Sequence, residues 1–533
     1  MIRPADYPPP PVDPFVAPSD PEPVEVDVAI VGAGPAGLAA AIRLGQIAPE
    51  LSVAVLEQGK SVGSHLLSGA VVRPQPLREL VGEFPSYGEV PGEAVYLLTP
   101  RRAFRVPTPP TMRNSGNVIV SLSQLGRWLA EQAESGGATV LTETAAVALL
   151  LEGERVVGVR TGDKGRARDG EETARFEPGA DVRARVTILA EGTTGHLSGA
   201  ALPRFGLGGV NPQVWALSVK EVWRVARPLA RVIHTLGWPL RPGARWREFG
   251  GSFVYPLGDE LVSLGLVVGL DYADAELSVH DLLQSLKLHP LLRRLLEGGE
   301  RVEWGAKTIP EGGFLSLPRR CFAPGLLLCG DAAGFVNVPA LKGVHLAVET
   351  GRLAADAAAS GDLGSYDAAL RSSWLWEELR EVRNMRQAFA RGLLVGGAVA
   401  GTMTLTRGRF PGGDRRTERD STQPLAVGRG RDYPSPDGRL TFDKLSSVFL
   451  SGNRTKEDQP NHIRVATPVP RELARMWARM CPAQVYEVGE EHADGIVDVE
   501  LAPSNCVQCG AITAKGGRLT PPEGGAGPEY TLM

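Results

Sequence analysis

Three sets of residues have the types and spacing to do chemistry. The first is Gly32, Gly34 and Gly37 in the run VDVAIVGAGPAGL, with Pro35 and Ala36 between them and Glu57 roughly 20 residues further on. Gly32 permits a tight turn, Gly34 removes the side chain that would hold a pyrophosphate off the backbone, and Gly37 lets a helix pack closely on a strand. An anion then sits at the helix N-terminus, and Glu57 accepts from an adenosine ribose hydroxyl. The second set is Gly330-Asp331, with Lys342-Gly343 downstream. Asp331 can accept from a ribityl hydroxyl, and the positive end of a helix from about Gly343 can stabilise negative charge at a reduced isoalloxazine edge. An ordinary glycine-rich turn is the rival for the first set, and an N-capping aspartate for the second. Together the two sets describe opposite ends of one FAD. The third set is Cys481, beside Pro482, with Cys506 and Cys509 as a CxxC pair. Thiolates on a tight loop can face one iron–sulfur cluster, with free thiols as the rival.

These residues need elements to position them. Val26 and Val28–Val31 read as a buried strand and Leu38–Leu44 as the helix after the glycine turn; Leu51–Leu56 is the strand that delivers Glu57. In the loop from Gly59 to Val72, small residues allow the backbone to lie against a flat ligand, with Ser64, His65 and Gly69 as candidate contacts. Leu122–Ala133 has helical spacing. Val186–Ala190 is a second buried strand, returning Glu191 to the cofactor. From Val210 to Leu288 alternating patterns predict an antiparallel sheet inserted as a substrate domain, with Gly250-Gly251 at the mouth of one strand. Leu326–Leu328 resumes the first sheet. In the tail, Arg471–Met480 reads as a helix delivering Cys481, and Tyr486–Glu500 as a strand pair.

Composition narrows the classes. A net charge of -4 on 533 residues, with no basic stripe, gives no pull toward nucleic acid, and no nucleic-acid partner is expected. Five cysteines in this length are no disulfide framework; Cys321 and Cys329 read as apolar packing. Residues 1–23 are proline-rich and acidic and predict an extended arm rather than a targeting peptide. The apolar run Gly392–Leu405 falls short of the roughly 20 residues a spanning helix needs. A charged helix from Glu377 to Arg391, leading into this run and closed by Arg407 and Arg409, suits insertion into one leaflet, with a buried core helix as the alternative. The apolar residues of Tyr96–Asn117, Leu97, Leu98, Phe104, Val106 and Met112, have no evident second face to bury against. Trp374 and Trp376 read as core.

With both flavin signatures and the cysteine tail in view, the chain resembles the electron transfer flavoprotein:quinone oxidoreductases. The resemblance runs through GAGPAGL, GSHLLSGAVV, GGSFVYPL, LVVGLDY, EGGFLSLP, AGFVNVPALKG, LTFDKLSSVFLSG, EDQPNHI, CPAQVYEV, NCVQC and PPEGG, in order. It implies a peripheral, monotopic enzyme of three intertwined domains on the cytoplasmic face of a bacterial inner membrane. Such an enzyme carries FAD and a cluster, and takes electrons from reduced electron transfer flavoprotein to membrane ubiquinone or menaquinone. The implied fold is α/β: a Rossmann-like FAD-binding domain at 24–205 and 315–430, an antiparallel quinone-binding domain at 206–314 and a small ferredoxin-like domain at 431–533. The resemblance places quinone contacts at Gly250 and Gly251, and makes 96–117 and 392–405 the parts that meet the lipid bilayer surface.

One position departs from the family pattern. Ile512 stands where another cysteine belongs, three places after Cys509. Three thiolates leave open a three-iron cluster, a four-iron cluster with a ligand such as Ser504, Thr513 or His492, or no cluster. The chemistry requires no acid, base or nucleophile constellation beyond proton delivery to the quinone, so no catalytic residue is named. Two rival functions share the flavin signatures: an FAD-dependent reductase or hydroxylase of a prenyl lipid, which has no need of the cysteine tail, and a non-catalytic flavin module for electron transfer or docking. A nicotinamide enzyme lacks its second strand-GxGxxG-helix.

Overall fold

Two sheets face one another across the molecule, and the chain crosses between them several times. The computed structural model describes residues 2–241, 243, 245–426 and 430–533. The first sheet runs Phe15–Val16, Ala146–Glu152, Arg155–Thr161, Asp181–Leu189, Val24–Val31, Val53–Leu56, Thr139–Leu141. Its centre is parallel: Val24–Val31 lies between Asp181–Leu189 and Val53–Leu56, and Leu326–Leu328 joins Asp181–Leu189 on the other side. Val28, Ala29 and Ile30 are fully buried, as a central parallel strand covered on both faces requires.

The helix Pro35–Ile47 follows the glycine turn, and Val344–Ser360 packs against it. Small residues make the approach close. A Cβ on Gly37 would drive into the carbonyl of Gly32, and one on Gly351 into the carbonyl of Ala36. The predicted helix at Leu122–Ala133 forms as Leu122–Ser135, with the Ser121 hydroxyl accepting from Gln124 N–H as its cap.

The second sheet runs Glu300–Pro310, Trp215–Arg224, Leu261–Gly269, Gly250–Leu257, Val232–Gly237, Glu93–Leu98, Ala103–Val106. All its pairings are antiparallel except that of Val232–Gly237 with Glu93–Leu98. The hairpin Glu93–Val106 therefore belongs to this sheet and not to the flavin-binding one. Pairing buries Leu98, contrary to expectation, while Leu97 and Phe104 stay exposed. Under this sheet Glu221 is wholly buried and accepts from Lys287, Arg301 and the Trp223 indole. Burial alone would raise its carboxyl, but the two cations hold it at about 2.

The predicted charged helix from Glu377 to Arg391 breaks up. Trp374–Glu381, the short Met385–Ala388 and a single turn at Phe389–Arg391 precede Gly392, whose φ of +94° ends the run before Leu393–Leu405 begins. Trp374, expected in the core, is 40% exposed and stacks on His345. Among the described residues no helix is long and apolar enough to cross a membrane.

The tail has its own strands and helix but shares one apolar core with the second sheet. The three strands Val469–Pro470, Ile496–Leu501 and Tyr486–Glu491 pack on the helix Arg471–Met480, which buries Leu473, Met476, Trp477 and Met480. Both ends of the chain are pinned. Phe15–Val16 adds a strand to the first sheet, and the Met533 carbonyl accepts from the Ser121 and Ser123 hydroxyls and from Ser123 N–H.

Candidate functional site

A single cavity of about 880 Å³ lies between the two sheets. At one end its wall is Gly32, Gly34, Pro35, Ala36 and Glu57; at the other it is Met112, Gly397, Gly401 and Leu405, with Gly250 and Gly251 between. Strand–turn–helix geometry puts the bare backbone of Gly34 on this wall. A Cβ there would meet nothing nearer than Leu66 Cδ2 at 3.7 Å. No side chain caps the helix Pro35–Ile47 at Gly34, or Val344–Ser360 at Gly343, so two sets of helix N-terminal N–H groups are left for a ligand. Asp331 lies beside the second of these, its Oδ1 3.6 Å from where a Gly343 Cβ would be. Burial pushes its carboxyl up to about 6, against the opposing charge of Lys307. An open glycine turn, two uncapped helix starts and a facing carboxylate fit the pyrophosphate, ring and ribityl groups of FAD.

The other expected residues divide. Glu57 reaches the wall and accepts from Ala33 N–H at 3.1 Å and Gly59 N–H at 2.7 Å; burial raises its carboxyl against those bonds. His65, Gly69, Lys342 and Gly343 also line the cavity. His65 is held by the Ala526 carbonyl at 3.1 Å, and burial lowers it to about 3, so it is neutral. Burial brings Lys342 down to about 8, and its Nζ donates to Asn114 Oδ1 at 2.8 Å. Glu191 lines the cavity too, yet its carboxylate accepts from Leu197 and Ser198 N–H groups and so caps the helix His196–Arg204.

Three expected contacts are not on the wall. Ser64 is fully buried; its hydroxyl donates to the Ser61 carbonyl and its own carbonyl accepts from Tyr530 N–H, so it anchors the tail. Gly37 and Gly330 act on packing, where a Cβ would meet the Gly32 carbonyl or Ala36 Cβ.

Sequence reasoning missed two groups. His234 and Tyr255, on neighbouring strands, both face the cavity and share a hydrogen bond of 2.7 Å. Lys307 faces it as well and donates to the Gln508 carbonyl at 3.2 Å. The second contact matters because Gln508 lies between Cys506 and Cys509. Its φ of +50° turns its side chain into the flavin cavity. One loop thus forms a wall of two sites. The one available signal was a lysine in the apolar second half of the strand Glu300–Pro310.

On the far side of that loop Cys481, Cys506 and Cys509 line a small second pocket with Met480, Tyr486 and Ile512. Gln508 N–H donates to Cys506 Sγ at 3.4 Å, the N–H groups of Ala483, Gln484 and Val485 face Cys481, and that of Ala511 faces Cys509. Burial pushes all three thiols up and these N–H groups oppose it, so the sulfurs would be held as thiolates by bound iron, with the backbone donors supporting them. Among the described residues no three His, Cys, Asp or Glu side chains converge as ligands of a single metal ion. Cluster thiolates, each on its own iron, stand wider apart. Ser504, Thr513 and His492 are not on the pocket wall: Thr513 Oγ1 accepts from Leu519 N–H, and His492 is exposed and paired with Asp498.

A Rossmann-type flavin end continuous with an apolar chamber defines an FAD-dependent oxidoreductase acting on an apolar substrate. Solved structures agree on the fold. A geranylgeranyl bacteriochlorophyll reductase-like protein from Thermoplasma acidophilum matches with a TM-score of 0.54 at 18% identity, covering 72% of this chain and 92% of its own. The family described as "ETF-QO, ubiquinone-binding" matches residues 215–309, and "Electron transfer flavoprotein-ubiquinone oxidoreductase, 4Fe-4S" matches 438–531. The Thi4 family matches 21–82. The mitochondrial electron transfer flavoprotein-ubiquinone oxidoreductase of Arabidopsis thaliana is 40% identical over 96% of this chain and 85% of its own. The Pseudomonas aeruginosa protein of that name is 38% identical over 96% and 99%. The chain belongs to the electron transfer flavoprotein–ubiquinone oxidoreductase family, with FAD and an iron–sulfur cluster as its cofactors.

Proposed function

We propose that this chain takes electrons from reduced electron transfer flavoprotein and delivers them to a membrane quinone whose head group lies against Gly250 and Gly251. One observation carries the reading: the cavity that begins at the dinucleotide turn continues past these glycines to an apolar mouth. FAD exchanges two electrons together or singly, and a cluster moves them singly, which together match a one-electron donor to a two-electron acceptor. The protein's own part is positional. Gly32 and Gly34 would hold pyrophosphate on the backbone, Asp331 the ribityl chain and Glu57 the adenosine ribose, while Gly250 and Gly251, whose missing Cβ atoms let the strand pack against the Val267 and Thr235 carbonyls, would offer bare backbone to a flat ring. His65, Gly69, Lys342 and Gly343 complete the flavin contacts, and Glu191 holds the wall.

The mouth favours a bilayer surface. The helix Leu393–Leu405 leaves Val395 and Leu405 exposed, the latter at 87%, beside Phe410, Arg407 and Arg409. Pro109, Pro110, Thr111 and Met112 form the adjoining rim. An apolar helix flanked by arginines suits monotopic insertion on the cytoplasmic face of a bacterial inner membrane. The prenyl-lipid reductase or hydroxylase reading would not need the cysteine pocket, and a non-catalytic flavin module would not need the quinone chamber.

The test is steady-state reduction of a short-chain quinone by enzymatically reduced electron transfer flavoprotein with the purified enzyme. Stoichiometric quinol formation, competitively blocked by a longer-tailed quinone analogue, is expected. Rapid flavin reduction with no quinol would overturn the reading.

A further inference from the structure

We infer that the C-terminal pocket holds a three-iron cluster on Cys481, Cys506 and Cys509, with Ile512 closing the corner where a fourth iron would need its ligand. This rests on the family reading above and goes beyond it, because the family is described as carrying four irons.

The three thiols lie on one pocket wall, and Cys481 and Cys506 are buried within one apolar core. Backbone N–H groups face each of the three sulfurs, the arrangement that stabilises bound thiolates. The rest of the wall is Met480, Ala483, Val485, Val507, Gly510, Ala511, Ile512 and Leu519, with Tyr486 as its one polar side chain besides the cysteines. Ile512 is 3% exposed, so water has little access to that corner in place of a protein ligand.

No other thiol can substitute. Cys321 and Cys329 lie in the separate core of the first sheet, where Cys329 Sγ contacts the Leu189 carbonyl. A cubane iron without a thiolate, a hard ligand or water has no stable fourth bond, whereas a cluster lacking that iron needs only the three sulfurs the pocket offers. Because Gln508 joins Cys506 to Cys509 and also lines the flavin cavity, the altered cluster shares a wall with the flavin.

The experiment uses full-length holoenzyme purified without oxygen. Iron, acid-labile sulfide and FAD are assayed, and low-temperature electron paramagnetic resonance is recorded before and after dithionite. About three irons per FAD, and a resonance in the oxidised protein that disappears on reduction, are expected. Ile512→Cys should raise the iron content by about one third, remove the oxidised resonance and create one in the reduced protein. Tyr486→Phe should leave the wild-type resonance in place. Four irons in the wild type with a resonance only after reduction would overturn the inference. So would iron-free protein that retains its flavin, or loss of the resonance in Tyr486→Phe with the flavin intact. Absence of quinol formation alongside a three-iron resonance would sink the functional reading and leave the cluster assignment standing.

Discussion

The flavin end of the cavity and the cysteine pocket are two cofactor sites built from different materials. The first uses backbone: glycine turns and two helix N-termini, with the carboxylates of Glu57 and Asp331, gathered from Gly32 to Gly343 and held by the packing of a whole sheet. The second uses three sulfur atoms on short loops between Cys481 and Cys509. A backbone site tolerates many side-chain changes but no added bulk at its glycines. A thiolate site tolerates reshaping around it but loses a ligand with each cysteine. This chain illustrates the difference, since its flavin signatures are intact while Ile512 occupies a ligand corner.

Adding bulk at the turn should give the largest effect. Gly32 has a φ of +102°, and a Cβ there would lie 2.5 Å from the Ala190 carbonyl oxygen. Gly32→Val is predicted to cost more than about 4 kcal/mol and to yield colourless protein, checked by flavin absorbance and thermal unfolding. Coloured, stable protein would show that the turn accepts a side chain at Gly32.

Next comes the carboxyl that faces the second helix start. Asp331 is raised to about 6, so the folded apoprotein binds its proton more tightly than the unfolded chain does. Its contribution is therefore fullest below about pH 4 and is lost as pH rises through about 6, by no more than about 3 kcal/mol. Asp331→Asn should flatten that slope in urea titrations of flavin-free protein. An unchanged slope would mean that the carboxyl does not titrate there.

Removing a thiol should have the opposite profile. Cys506→Ala is expected to cost about 1–2 kcal/mol in stability, lose its iron and keep its flavin. Loss of the flavin as well would show that the loop shared through Gln508 couples the two sites. The smallest effect on folding belongs to the mouth. Leu405→Glu, at a side chain already in solvent, should change stability by less than about 0.5 kcal/mol. It should nevertheless weaken co-sedimentation with anionic lipid vesicles severalfold; undiminished vesicle binding would remove that helix from the membrane-facing surface.

How much was legible follows from how local each feature is. Gly32, Gly34 and Glu57 lie on one strand–turn–helix–strand unit, and Asp331 ends a strand of the same sheet, so each carried its own signal. The hairpin Glu93–Val106 was misassigned because its pairing partner, Val232–Gly237, is more than a hundred residues away. His234 with Tyr255, and Lys307 with Gln508, were invisible for the same reason: each becomes a site residue only when distant segments meet. The break at Gly392 was hidden inside a run whose composition reads as continuous helix.

By itself the amino-acid sequence determined the flavin fold, the family and the loss of a fourth cysteine. These depend on residue types at short, fixed spacings. It took the folded chain to show that one cavity joins the nucleotide turn to an apolar mouth, that Glu191 caps a helix, that Ser64 anchors the tail, and that the pocket beside Ile512 offers Tyr486 as its one polar side chain besides the three thiols. The physical reason is that a vacancy or a shared wall is a relation among surfaces from separate parts of the chain, and no local spacing encodes it.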